Sequence, residues 1–223
     1  MLTLFQWDKG HRANSLLLGE GGSAMHPSKC FTSVRSGAAR RIRYLDQEQL
    51  ARLFQAAKAR PQRDRLVLAF SYRLAMRASE VCGLKTEDVD RDRGRVYVQG
   101  LKGGNEAFYA LPSDLKRLLK GYRAAGEYFF GSRQADRLSR VQLWRIMKET
   151  AKAAGLPSWA TVHSLRHSAA VHALDSGVNL GDVQDLLRHA SSQTTSIYAR
   201  ISSRRRLDYQ RQIEESEATV KVG

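Results

Sequence analysis

The chain reads as a mainly α-helical domain with one small β-hairpin inserted early. Three observations point there. From Tyr44 onward apolar residues recur at helical spacing. Capping and stop residues punctuate that pattern at several points. A single alternating stretch, around Val96 and Val98, is followed by Gly103-Gly104-Asn105 and a second short apolar run.

The elements follow in order. Asp46, with Gln49 three residues on, predicts a helix start, because the Asp side chain can accept from a free first-turn amide. Leu50, Leu53, Phe54 and Ala57 then share one face, and Pro61 is read as ending that helix. Leu66, Val67, Ala69 and Phe70 carry a second helix, with Tyr72–Ala75 leading out of it, and Glu80, Val81 and Leu84 a short third one after Arg77. The hairpin takes Arg95–Leu101 out and Ala107–Leu111 back. Pro112 and Ser113 open a helix over Leu115, Leu118 and Leu119. Ser139 opens another, through Val141, Leu143, Trp144 and Met147, which breaks at Gly155-Leu156-Pro157. A helix from about His163 to Asp175 stops at Gly177, and a last one covers Gly181 to Arg188.

Two flanks differ from this body. Residues 1–41 carry Lys9, Arg12, Lys29, Arg35, Arg40 and Arg41 against Asp8 and Glu20, with little periodicity. They form an irregular basic segment, either a solvated tail or an arm that touches DNA. Residues 204–223 begin with Arg204, Arg205 and Arg206 and turn acidic at Glu214, Glu215 and Glu217. The expected organisation is therefore a basic irregular segment over 1–41, a folded body over 42–203, and a C-terminal tail over 204–223.

Charge narrows the partner class. Lys and Arg number 37 and Asp and Glu 22 in 223 residues, a formal net charge of +15. Such an excess favours polyanions, nucleic acid first. No apolar run is long enough to span a bilayer, and Leu16–Leu18 is too short for a secretory signal, so no membrane association is expected. Cys30 and Cys82 are too few for a disulfide framework or a thiolate zinc site, which suits a reducing cytoplasm.

Three patterns carry chemistry. Arg77 and Glu80 stand three apart at a helix start, where the carboxylate can orient the guanidinium. His163 and Arg166 stand three apart at another helix start. His163 and His167 are also i and i+4, but the glutamate of a zinc hydrolase is missing between them and no third ligand follows, so a metal site is not expected. Finally, Arg188-His189-Ala190 leads through Ser, Gln and Thr residues to Tyr198.

Taken together these patterns resemble the catalytic domain of the tyrosine recombinases, the phage integrase family. The family order is Arg, a hairpin Lys, His-x-x-Arg, His or Trp, and Tyr. This chain has Arg77, Lys102, His163, Arg166, His189 and Tyr198 in that order, within Arg-Ala-Ser-Glu-Val-Cys-Gly-Leu (77–84), Ser-Leu-Arg-His-Ser (164–168) and Thr-Thr-Ser-Ile-Tyr-Ala (194–199). The resemblance implies a site-specific DNA recombinase working through a 3′-phosphotyrosyl intermediate. Tyr198 would be the nucleophile, Arg77 and Arg166 would neutralise the phosphorane, and His163 would be the acid/base. Lys102 would protonate the leaving 5′-oxygen, His189 would bond the phosphate, and Glu80 would orient Arg77. The bond energy stays in the phosphotyrosine, so neither ATP nor metal is implied. Double-stranded DNA is the implied partner, with a homotetramer in the synaptic complex and accessory DNA-bending proteins as further partners.

Two departures stand out. Arg188 occupies a position where many family members have glycine, adding charge beside the site; contact with DNA and displacement of His189 are both open. Most members also carry an N-terminal helical clamp domain, whereas 41 residues precede the catalytic pattern here. That layout is similar to compact invertases, to a compact integrase from a mobile element, or to a piece of a longer one. The rival readings are a DNA-binding protein of the same fold without catalysis, and a type IB topoisomerase-like relaxing activity. A basic RNA-binding module is disfavoured, because one hairpin with Tyr97, Phe108 and Tyr109 offers too few stacking aromatics.

Overall fold

The computed structural model describes residues 42–99, 107–124, 126–132, 135–188 and Tyr198. The segments 1–41 and 204–223, the hairpin turn with Lys102, and His189 lie outside the described residues. Within them run α1 (Gln47–Ala57), α2 (Gln62–Arg73), α3 (Ala78–Gly83), β1 (Val89–Asp90), β2 (Arg95–Val98), β3 (Ala107–Ala110), α4 (Ser113–Leu119), α5 (Arg140–Ala153), α6 (Val162–Asp175) and α7 (Leu180–Leu187).

Caps set most of the boundaries. Asp46 accepts from Gln49 N (2.7 Å) while the Gln49 side chain accepts from Asp46 N (3.1 Å), a reciprocal box that starts α1. Ser139 and Gln142 repeat it for α5, and Thr161 and Ser164 for α6. Pro61 acts differently from the sequence expectation. The α1 helix ends at Ala57, and Pro61 is the cap residue that opens α2, where its missing N–H costs nothing. Tyr72 and Arg73 belong to α2 rather than to its exit.

The centre of the molecule is α2. Leu66, Val67, Leu68, Ala69, Phe70, Ser71 and Tyr72 are all buried, so this helix is covered all round. It packs on α6 and α4 and touches α1, α3 and α5. Small residues on α6 (Ala169, Ala170 and Ala173) allow the close approach. An aromatic group of Phe70, Phe129, Phe130 and Tyr122 closes one side, with Phe70 edge-on to Phe130 at 5.4 Å.

The hairpin is one edge of a three-stranded antiparallel sheet, order β1-β2-β3. The strand β1 adds to the hairpin that the sequence predicts, and its two residues are too few to show an alternation. Val89 pairs with Val96, and Val96 with Tyr109. That register turns Tyr109 toward α7, where its hydroxyl donates to Asp185 O (3.0 Å).

Ser168 ties the start of the described residues to α6. Its fully buried hydroxyl accepts from Leu45 N (2.8 Å) and donates to Ser164 O (2.8 Å). Ser168→Ala strands a buried amide and should cost about 1–3 kcal/mol of folding free energy. Urea denaturation should show a lower midpoint with an unchanged slope; an unmoved midpoint would mean that Leu45 N finds water instead.

Candidate active site

The site is assembled where three chain stretches meet: the turn from α2 into α3, the first two turns of α6, and the end of α7. Glu80 is the shared element. Its side chain is 1% exposed, yet it is ionised, because it faces three guanidinium groups. Oε1 accepts from Arg77 Nη1 (2.6 Å), and Oε2 accepts from Arg77 N (2.7 Å) and Arg188 Nη2 (2.9 Å). Arg166 Nη1 stands 3.8 Å from Oε2. Burial alone would raise this carboxyl; Arg188, the Arg77 amide and Arg166 outweigh it and hold the pKa below its ordinary value.

Arg77 is partly exposed, so its guanidinium reaches solvent from a carboxylate anchored inside. Arg166 is 2% exposed. Its Nη1 donates to Ala75 O (2.5 Å) and its Nη2 to Leu187 O, bridging the α2–α3 turn to the end of α7. Burial and the neighbouring Arg77 bring its pKa down to about 10, which still leaves it charged at neutral pH.

Both non-glycine residues with left-handed backbone among the described residues belong to this cluster: Ala75 (φ 46°) and Arg188 (φ 51°). Each pays roughly 1–2 kcal/mol of backbone strain. The Ala75 conformation turns its carbonyl to both Arg166 and Arg188.

Tyr198 is 2% exposed. Burial pushes its phenol up to about 12, against the opposing pull of Arg166 and Arg77. The hydroxyl lies 2.6 Å from His167 Nδ1, so the neutral phenol donates there when His167 carries its proton on Nε2. His163 stacks edge-on against His167 at 4.2 Å between ring centroids and keeps an exposed edge. Partial burial, then Arg166 and Arg77, lower the His163 pKa below its usual value, so this ring is neutral at pH 7.

Of the residues expected from the sequence, the structure brings together Arg77, Glu80, His163, Arg166 and Tyr198; Lys102 and His189 lie outside the described residues. Two more were not foreseen in these positions. His167 holds the Tyr198 hydroxyl, and its i+4 spacing from His163 shows in the sequence without showing that partner. Arg188 brings its charge beside the site, as the sequence implies, and of the outcomes left open contact with DNA does not fit: it is 0% exposed and bonded to Glu80, because the left-handed turn after α7 folds its side chain inward. Among the described residues no three His, Cys, Asp or Glu side chains gather as a metal site, and no helix is long and apolar enough to cross a membrane.

Comparison with known proteins identifies the family and the fold. A tyrosine recombinase XerA from Pyrococcus furiosus is 35% identical over 167 residues, covering 72% of this chain and 58% of the relative. A tyrosine recombinase XerC from Corynebacterium efficiens is 40% identical over 159 residues, covering 68% and 50%. The chain thus spans about half the length of these curated relatives. Among solved structures, a XerA recombinase superposes with a TM-score of 0.62 at 26% identity, over 70% of this chain and 57% of that one. The XerH recombinase bound to a palindromic difH substrate, a post-cleavage complex, gives 0.64 at 25% identity, over 77% and 53%. The fold is that of the tyrosine recombinase catalytic domain. The family model for the phage integrase family matches residues 43–205, and the chain belongs to that family.

Proposed function

We propose that this chain cleaves and rejoins double-stranded DNA at specific sites, forming a 3′-phosphotyrosyl intermediate in the course of integration, excision or inversion of a DNA segment. The observation that carries this reading is the gathering of two guanidiniums, Arg77 and Arg166, on the buried Glu80, with a buried tyrosine, Tyr198, held at its hydroxyl by His167 next to Arg166 on α6. The net charge of +15 suits the polyanionic substrate.

The chemistry follows from the groups present. The Tyr198 oxygen attacks the phosphorus, a P–O(Tyr) bond forms, and the P–O5′ bond breaks. The phenol proton leaves to a neutral imidazole, the role given to His163, with His167 holding the hydroxyl in the resting state. Negative charge grows on the non-bridging oxygens, where Arg77 and Arg166 offer paired, permanently charged donors. Lys102 supplies the proton to the departing 5′-oxygen, and His189 donates to the phosphate. Energy conserved in the phosphotyrosine makes ATP and metal unnecessary. Strand exchange between two duplexes calls for a homotetramer on DNA, with DNA-bending proteins as accessory partners.

Three results are expected. On negatively supercoiled plasmid in EDTA without ATP, the protein should relax DNA and leave an SDS-stable adduct, and Tyr198→Phe should bind DNA but form none; an adduct retained by the variant would exclude Tyr198 as nucleophile. Relaxation without recombination of paired sites would place the chain with relaxing enzymes instead. Lys102→Ala should slow cleavage of ordinary DNA by about a hundredfold or more, yet cut a 5′-bridging phosphorothiolate nearly normally, since a thiolate leaves without a proton; equal damage on both would remove its acid role. Because the His163 pKa lies below the ordinary 6.5, cleavage should be lost as pH falls through a value under 6.5 and be flat from there to about pH 8. A break above 6.5 would contradict a base role for His163.

A further inference from the structure

Arg188 takes the place where the backbone itself favours glycine, at φ 51° and ψ 46° just before His189. Its side chain is nonetheless built into the site on every side. Nε and Nη2 donate to Glu80 Oε1 (3.5 Å) and Oε2 (2.9 Å), and both Nη atoms donate to Leu74 O (3.2 Å). Nη2 also donates to Ala75 O and Nη1 to Leu186 O, both at 3.0 Å. Tyr109 from β3 covers the guanidinium at 5.1 Å. These acceptors belong to the turn that precedes Arg77, to the carboxylate that holds Arg77, and to the end of α7.

We propose that Arg188 is a positioning residue that fixes Glu80 and the Leu74–Ala75 turn from beneath, and so sets the Arg77 guanidinium and ties it to the strand of chain that enters His189. The proposal rests on the phosphoryl-transfer reading of Arg77. Glu80 is faced by Arg77 at the start of α3, by Arg166 from α6 and by Arg188 after α7. Without Arg188, Oε2 loses its side-chain hydrogen bond and keeps only Arg166 at 3.8 Å, so burial weighs more heavily against the charged carboxyl. A Glu80 that is less firmly fixed holds Arg77 less firmly, and the partly exposed Arg77 side chain is freer to turn away.

The test uses the full chain with Arg188→Met, which removes the charge, and Arg188→Lys, which keeps it. The readouts are duplex DNA affinity, the rate of SDS-stable adduct formation on supercoiled plasmid as a function of pH, and urea stability from about pH 4 to pH 7. Arg188→Met should bind DNA within about twofold of the parent yet form adduct at least about tenfold more slowly, with its acid limb moved to higher pH. Arg188→Lys should recover part of that rate. The stability difference has a definite sign with pH. Glu80, with a lowered pKa, stabilises the parent above its unfolded pKa, and that stabilisation is lost as pH falls through the folded pKa. The gap between parent and Arg188→Met should therefore be widest near pH 7 and narrow as pH falls toward the folded pKa of Glu80, which lies below the ordinary 4.5. Adduct formation by Arg188→Met within about threefold of the parent would overturn the proposal, as would a pH-independent stability gap or an Arg188→Lys no better than Arg188→Met. Should Arg188→Met fail to fold, Arg188→Lys carries the same pH comparisons. A parent that forms no adduct would sink the phosphotyrosyl reading, while the stability comparison would still decide the Arg188–Glu80 contact.

Discussion

The Glu80 carboxylate, buried among Arg77, Arg166 and Arg188, is the interaction on which the rest of the site depends. A carboxylate at this depth survives only because cations and an amide surround it. One carboxylate cannot neutralise three guanidiniums, so positive charge remains in excess and is displayed toward solvent only through Arg77. Such a cluster is poor evidence for stability, since the cations repel one another and all have lost water. It is better understood as electrostatic preorganisation: the donors are already turned and desolvated before an anion arrives.

Backbone strain and side-chain bonding explain each other at this point. Ala75 and Arg188 hold left-handed conformations that neither residue type prefers. The carbonyl that Ala75 presents is the one both buried arginines use. The strain is met by hydrogen bonds to charged donors, each worth more than a neutral one. The same carbonyl links the Arg77 turn to α6 and to the end of α7.

Tyr198, the nucleophile of the proposed reaction, is kept quiet by its surroundings. Burial raises the Tyr198 phenol to about 12, and His167 occupies its hydroxyl. In the proposed reaction the incoming phosphate changes both conditions: it brings charge that Arg77 and Arg166 answer, and it replaces the histidine as the partner of the tyrosine oxygen. The α6 helix serves both halves of the design. His163, Arg166 and His167 fall within its first two turns, while Leu165, Ala169 and Ala170 bury its other sides against the core.

Local rules made much of this molecule legible. The boxes at Asp46 and Ser139 and the alternation at Val96 act over a few residues, so helix starts and the hairpin could be placed from the chain alone. The two-residue β1 has no local signal, and Pro61 carried one that served equally to end a helix or to begin one. The residues of the site were readable as types in order, because Arg, His and Tyr chemistry is a property of the side chain. Their partners were not. Arg188 meets Glu80 across 108 residues, Arg166 meets Ala75 across 91, and Tyr198 meets His167 across 31. Sequence by itself determined which groups could donate, accept or attack; whether Arg188 faced water or Glu80 was decided by the left-handed turn after α7 and the packing around it, since burial belongs to the folded surface and not to any residue's neighbours in the chain.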